Sequence, residues 1–270
     1  MTPEEWTKTI ESVKEEMRKH ARKFATPISM TEDQQTAVAW GSGSYLQNGD
    51  TTWLITADHN FDKIPSGGLL AHLPAPGDHY VAVTNTPRRA AYPVNVAAVE
   101  VAAIPTGWDR QAVPKARVAR RFSAVKEELL FWVGYPGYNL IRHDPVIADR
   151  IKATLYGELR ISSLSVLSQE LQTTQPIGSG FDPLKHVAIH YPSMGRSEAD
   201  GPEIDLPNPK GLSGSLLWNT RYVETVRASS EWTPELAQVC GVIWYALDKP
   251  DVVFATRIEV ARLSFPGVFA

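Results

Sequence analysis

The chain has 270 residues, 43% of them hydrophobic, and a formal net charge of −3. That length and apolar content allow one large or two small domains around a sizeable core and exclude disorder as the main state. The weak acidic balance gives no reason to expect a polyanion, and the basic pairs Arg88-Arg89 and Arg120-Arg121 read as solvated surface charge, so no nucleic-acid partner is expected.

The single cysteine, Cys240, cannot form an internal disulfide, and the charged opening Met1 to Lys23 lacks the apolar centre of a secretory signal. No stretch reaches the roughly 18 apolar residues of a spanning helix. These features predict a cytoplasmic protein with no membrane partner. In chain order, the first element is a helix, because Trp6, Ile10, Val13, Met17, Ala21 and Phe24 recur at three- and four-residue steps. Thr2 can cap it, Pro3 suits its first turn, Glu5 completes a capping box, and Pro27 is expected to end it.

From Thr36 onward the texture changes to short β-rich runs punctuated by Gly, Pro, Asn and Asp: Thr36 to Gln47, Thr51 to Thr56, Tyr80 to Asn85 and Val94 to Val101. A second set covers Leu129 to Val133, Val146 to Leu159, His186 to Tyr191, Leu216 to Trp218, Val239 to Tyr245 and Val252 to Thr256. Two strand-rich halves joined through Ala102 to Ala116 suggest two β-barrels side by side. Arg257 to Leu263 reads as a short closing helix.

Two distant strings could carry chemistry. Gly211-Leu212-Ser213-Gly214-Ser215 can form the tight turn that exposes a serine hydroxyl and aims main-chain N–H groups at a developing oxyanion. Trp53-Leu54-Ile55-Thr56-Ala57-Asp58-His59 ends an apolar strand on a histidine, a rigid yet reachable place for a general base. His186 and His190 share the spacing of a helical metal pair, but their surroundings alternate like a strand, so no metal is expected. Cys240, between apolar neighbours, reads as a packing thiol.

The string ending at His59 resembles the hydrophobic-Thr-Ala-x-His pattern of the trypsin-like (chymotrypsin-fold) serine proteases. Gly41-Ser42-Gly43-Ser44-Tyr45-Leu46 resembles the strand before that histidine in bacterial members. Val133-Gly134-Tyr135-Pro136-Gly137, Gly211-Leu212-Ser213-Gly214-Ser215 and Val239-Cys240-Gly241-Val242-Ile243-Trp244 follow in the family's order. The resemblance spans Gly41 to Ile258. It implies an all-β double barrel with an added N-terminal helix and a short C-terminal helix: helix in 1–30, first barrel in 31–110, second barrel in 111–270.

The resemblance further implies a serine endopeptidase of bacterial cytosolic type, with Ser213 as nucleophile, His59 as base and the Gly211 and Ser213 amides as oxyanion hole. Pro207, Asn208, Trp244, Tyr245 and Ala246 fall where the family shapes its substrate pocket; no cofactor is needed. A protein or peptide substrate is implied, as is a regulatory protein partner from a stress or defence system. The departure is at Asn95-Val96-Ala97-Ala98-Val99, where the family writes aspartate first. Three readings stay open: Asn95 orients the histidine; a carboxylate such as Asp58, Asp62, Asp78 or Glu100 does; or the domain is a weak, partner-activated or inactive binding module. Asp58 is handicapped because neighbours on an extended strand face opposite ways.

Overall fold

A computed structural model describes residues 3–31, 37–64, 66–73, 81–105, 110–136, 163–172, 180–192, 194–196, 203–206, 209–246 and 252–269. Helix α1 (Pro3–Arg22) carries Glu4 and Glu5 in its first turn and Lys19, His20 and Arg22 in its last, each sign matched to the nearer dipole end. Its apolar stripe is buried at Val13, Met17 and Ala21. The helix stops earlier than Pro27 would require. Ala25–Thr31 is already a strand, β1, and Pro27 lies opposite Ser42 in the β1–β2 ladder. Its other neighbour, β4, pairs with β1 only from Ile28 onward, so the missing N–H of Pro27 falls where that side needs no ladder bond.

After β1 come β2 (Ala37–Asn48), β3 (Thr51–Thr56), β4 (Leu69–His72), β5 (Val81–Ala82), β6 (Arg88–Ala90), β7 (Val96–Val101) and β8 (Val113–Pro114). They form one curled sheet in the order β5-β4-β1-β2-β3-β7-β6, with β8 added parallel to β2. The chain continues through β9 (Leu129–Gly134), β10 (Leu164–Gln169), β11 (His186–His190), β12 (Met194–Arg196), β13 (Glu203–Asp205), β14 (Leu216–Asn219), β15 (Gln238–Ala246) and β16 (Val252–Arg257). The second curled sheet runs β10-β9-β14-β15-β16-β11, and β12 pairs β13 separately.

The expected all-β double barrel with helices at both ends is therefore the observed architecture. Thr51–Thr56 is the strand expected; the run expected over Tyr80 to Asn85 narrows to β5, and the strand expected over Val146 to Leu159 lies outside the described residues. Among the described residues there are two further helices, α2 (Tyr222–Arg227) and α3 (Ile258–Ser264), the latter matching the expected closing helix within a residue. Among the described residues no helix is long and apolar enough to cross a membrane.

One apolar core links α1 to the second sheet: Val13, Met17, Ala21 and Phe24 join Leu130, Phe131, Trp132 and Trp218. The Phe24 and Trp218 rings stack with centroids 5.6 Å apart. Beneath α2, the buried Glu128 carboxylate accepts from the Val223 and Glu224 amides (2.9 and 3.0 Å) and from Thr220 Oγ1 (3.2 Å), which fixes that helix to the sheet. Helix α1 is thus part of the second barrel's packing. Met17→Ala is expected to lower the unfolding free energy by about 2–5 kcal/mol, read by urea denaturation, because it empties a fully buried site.

Candidate active site

Strand β3 ends at Thr56, and a 3-10 turn over Asp58–Lys63 follows at once, which puts His59 at a strand end on a short rigid turn. Both its Nδ1 and its main-chain N lie 3.1 Å from Asn95 Oδ1. A main-chain N–H can only donate, so the Asn95 atom there is the amide oxygen, and the imidazole carries its hydrogen on Nδ1. Nε2 is left as the basic nitrogen. Asn95 precedes β7 in a left-handed conformation (φ 47°), which asparagine tolerates better than most residues. Its own N–H donates to Ala91 O (3.2 Å), and its carbonyl accepts from the Asp58 amide (3.3 Å).

Burial pushes the His59 pKa below its ordinary value of 6.5; Lys63 adds to that, while the Asn95 bond and the Asp62 and Asp58 carboxylates oppose it. The carboxylates considered as substitutes for Asn95 have other partners. Asp58, 4% exposed, is forked by Arg89 at 2.7 and 3.2 Å, and the same guanidinium reaches Asp62 at 2.5 Å. Glu100 is exposed, and Asp78 lies outside the described residues. The side chain facing Nδ1 is an amide.

The loop bearing Ser213 is fixed through its main chain. Leu212 N donates to Pro209 O (3.0 Å), Gly214 N to Ile243 O (2.7 Å) and Ser215 N to Leu212 O (3.1 Å). Among the described residues the N–H groups of Gly211 and Ser213 enter no hydrogen bond, so both remain available to an anion. Gly211 and Gly214 have φ of 98° and 100°. A side chain at Gly214 would collide with Ser42 O and Thr56 Oγ1. Ser215 is buried against Gly134, whose missing side chain leaves it room. The Ser213 hydroxyl donates to Trp244 O at 3.2 Å, so its proton is directed at a carbonyl of β15.

Residues that the sequence did not single out join the two segments. Ser213 O accepts from Ser42 N and from Asn60 Nδ2, both at 3.2 Å. Asn60 Nδ2 also donates to Thr56 Oγ1 (2.9 Å), which donates to Ser42 O (2.8 Å) and so closes a ring. Ser42 Oγ accepts from Tyr135 N (2.8 Å) and donates to Gly211 O (2.7 Å). Ser42, Thr56 and Asn60 are all buried. The available signal was three polar side chains in strings otherwise built for burial, one of them next to His59.

Of the expected pocket residues, Pro207 and Asn208 lie outside the described residues. Trp244, Tyr245 and Ala246 end strand β15. The Trp244 ring is 5% exposed and packs on His186 (5.1 Å between centroids), Tyr92 (6.0 Å) and Phe254 (6.1 Å), beneath the segment leading to Asn95. His186 is held at both nitrogens, Nε2 donating to Pro93 O (2.6 Å) and Nδ1 accepting from Asp182 N (3.0 Å), so it anchors that segment to the second barrel. Thr256 Oγ1 adds a bond to Val94 O (2.5 Å). Among the described residues no three metal-ligating side chains converge. Cys240 is fully buried with its pKa pushed up by desolvation, as a packing thiol should be.

No protein-family model and no curated protein matches this sequence. Solved structures do. The chain is similar to a serine endoprotease from Yersinia pestis (TM-score 0.54, 12% identity), covering 93% of this chain and 64% of that one. It is also similar to a protease from M. tuberculosis in its active form (0.52, 14%, 96% and 86%) and to an inactivated protease paralogue of the scabies mite (0.53, 11%, 91% and 93%). The chain has the trypsin-like, chymotrypsin-type double-barrel fold, and its neighbours in structure are serine proteases and their relatives. It spans less than two thirds of the Yersinia chain.

Asn60→Ala is expected to lower the unfolding free energy by about 1–3 kcal/mol, because Ser213 O and Thr56 Oγ1 each lose a buried donor. An unchanged denaturation midpoint would mean that the ring carries no stability.

Proposed function

We propose that the chain is a serine endopeptidase that cleaves peptide bonds through an acyl-enzyme, with Ser213 as nucleophile, His59 as base and Asn95 as the group that orients the base. The observation that carries this reading is the pair of hydrogen bonds that His59 N and Nδ1 donate to Asn95 Oδ1, in a fold whose Ser213 loop leaves two amides unengaged. The Ser213 hydroxyl turns from Trp244 O toward His59 Nε2, attacks the scissile carbonyl and gives its proton to the imidazole. The Gly211 and Ser213 N–H groups stabilise the oxyanion. His59 then returns the proton to the leaving amine, and water repeats the sequence on the acyl-serine. No cofactor enters any step, and no carboxylate in the described site favours a basic side chain in the substrate.

Asparagine supplies orientation without charge. The imidazolium formed during acylation is therefore less stabilised than beside a carboxylate; replacing aspartate by asparagine in a chymotrypsin-type enzyme lowers turnover by about 10⁴, a loss that includes holding the imidazole in the wrong tautomer. The Ser213 bond to Trp244 O supports a second reading, a resting site that a protein partner turns on, or one that binds peptides without cutting them. One chain sharing this fold is an inactivated paralogue, so the fold accommodates either outcome.

A fluorophosphonate probe is expected to label the protein at one site, with labelling abolished by Ser213→Ala and reduced by His59→Ala. Absence of labelling with and without cell extract would leave the binding reading. In Asn95→Asp, the carboxylate would favour the charged imidazole and raise the His59 pKa. Peptidase turnover is expected to rise by at least about ten-fold, within the 10⁴ range above. The acid limb of the pH–rate profile should move to higher pH, because the base must be neutral to accept the proton. The native enzyme, with its depressed pKa, should hold activity to a pH below 6.5.

A further inference from the structure

Residues 110 to 126 contain Arg110, Lys115, Arg117, Arg120, Arg121 and Lys126 and no carboxylate, in a chain whose net charge is −3. The fold draws part of this segment against α3 to form a cleft of about 790 Å³ lined by Lys115, Arg120, Arg121, Arg262, Ser123 and Gln238. No acidic side chain lines it. Lys115, Arg120 and Arg121 are exposed, and among the described residues none of the four cations is ion-paired; Arg262 makes one long bond to Ala119 O (3.4 Å). The acidic residue of α3, Glu259, is occupied by Phe122 N (2.7 Å) and lies 4.0 Å from Arg257. The contrast with the other arginine pair is informative: Arg89 is consumed by Asp58 and Asp62, and Arg88 lies over the Trp53 ring.

Four uncompensated cations around one concavity raise the local potential and attract anions, and this holds without reference to the Ser213 site. We propose that this cleft is a docking site for an acidic, extended peptide segment of a partner protein. The occupant is a polypeptide because no aromatic ring lines the cleft to stack a base, while Ser123, Gln238 and the forked guanidiniums suit carboxylates and peptide groups. Gln238 starts strand β15, whose far end meets the Ser213 loop at Ile243 and Trp244. Five to six residue steps of strand, roughly 17–20 Å, separate the two, so the cleft lies apart from Ser213.

The test is fluorescence anisotropy of a labelled oligoglutamate peptide with the full chain. Binding is expected to weaken about ten-fold or more between roughly 50 and 300 mM salt. The double reversal Arg120→Glu with Arg121→Glu should lose at least about ten-fold in affinity, Arg262→Gln should lose less, and the control Arg88→Glu should bind as the native protein does. Both reversed residues are exposed, so unchanged circular dichroism and melting would show that the fold is intact. No binding at low salt, or affinity unaffected by the double reversal, overturns the proposal. So does tighter binding of an oligothymidylate that is lost in the same variant, which would reassign the cleft to nucleic acid.

Discussion

The carbonyl oxygen of Ser213 is held by two donors, the Ser42 amide and the Asn60 side chain, and the placement of the whole site follows from that contact. A loop with two left-handed glycines has an unusually large choice of conformations, and a side chain on such a loop is held in place only if that choice is removed. Here the restraints come from both barrels: Ser42 and Asn60 from the first, Ile243 from the second. Each bond contributes on the order of 1 kcal/mol net, but every donor is buried, and breaking one leaves its partner without water. With a single cysteine in the chain, this polar junction does what a covalent cross-link cannot.

The electrostatic character of the site differs from its geometric character. His59 makes two hydrogen bonds to one oxygen, one from its main chain and one from its ring, and the second sets ring orientation and tautomer. The negative charge nearby, on Asp58 and Asp62, is instead spent on Arg89. Geometry and charge, joined in one side chain in the usual arrangement, are separated here. The segment that carries Asn95 is anchored to the second barrel through His186 and Thr256, so the placement of its amide depends on both halves of the molecule.

Much of this was legible in the sequence where the signal is local. The 3.6-residue stripe of α1, the run Thr51–Thr56 and the two strings around His59 and Ser213 all express short-range periodicity or turn chemistry. The asparagine at 95 was visible as a departure, although only the fold shows that its side chain meets His59. Pro27 misled, because a proline that ends a helix and a proline at an unpaired stretch of strand look alike in one dimension. Ser42, Thr56 and Asn60 were passed over for a different reason: their roles rest on partners as far as 169 residues away, which no spacing rule encodes. The basic cleft likewise needs Arg262 brought beside Arg120 and Arg121.

Helix α1 has a consequence for how the molecule is made. It precedes by more than 100 residues the surface that covers its stripe, β9 and β10, which begin at Leu129 and Leu164. At ribosomal speeds of about 5–20 residues per second, the helix waits roughly five to thirty seconds before those strands exist. A lone helix of 20 residues is only marginally formed in water, so its apolar side is uncovered through that interval. Until β9 and β10 are made, the newborn segment therefore carries an uncovered greasy stripe that a nascent-chain chaperone would shield.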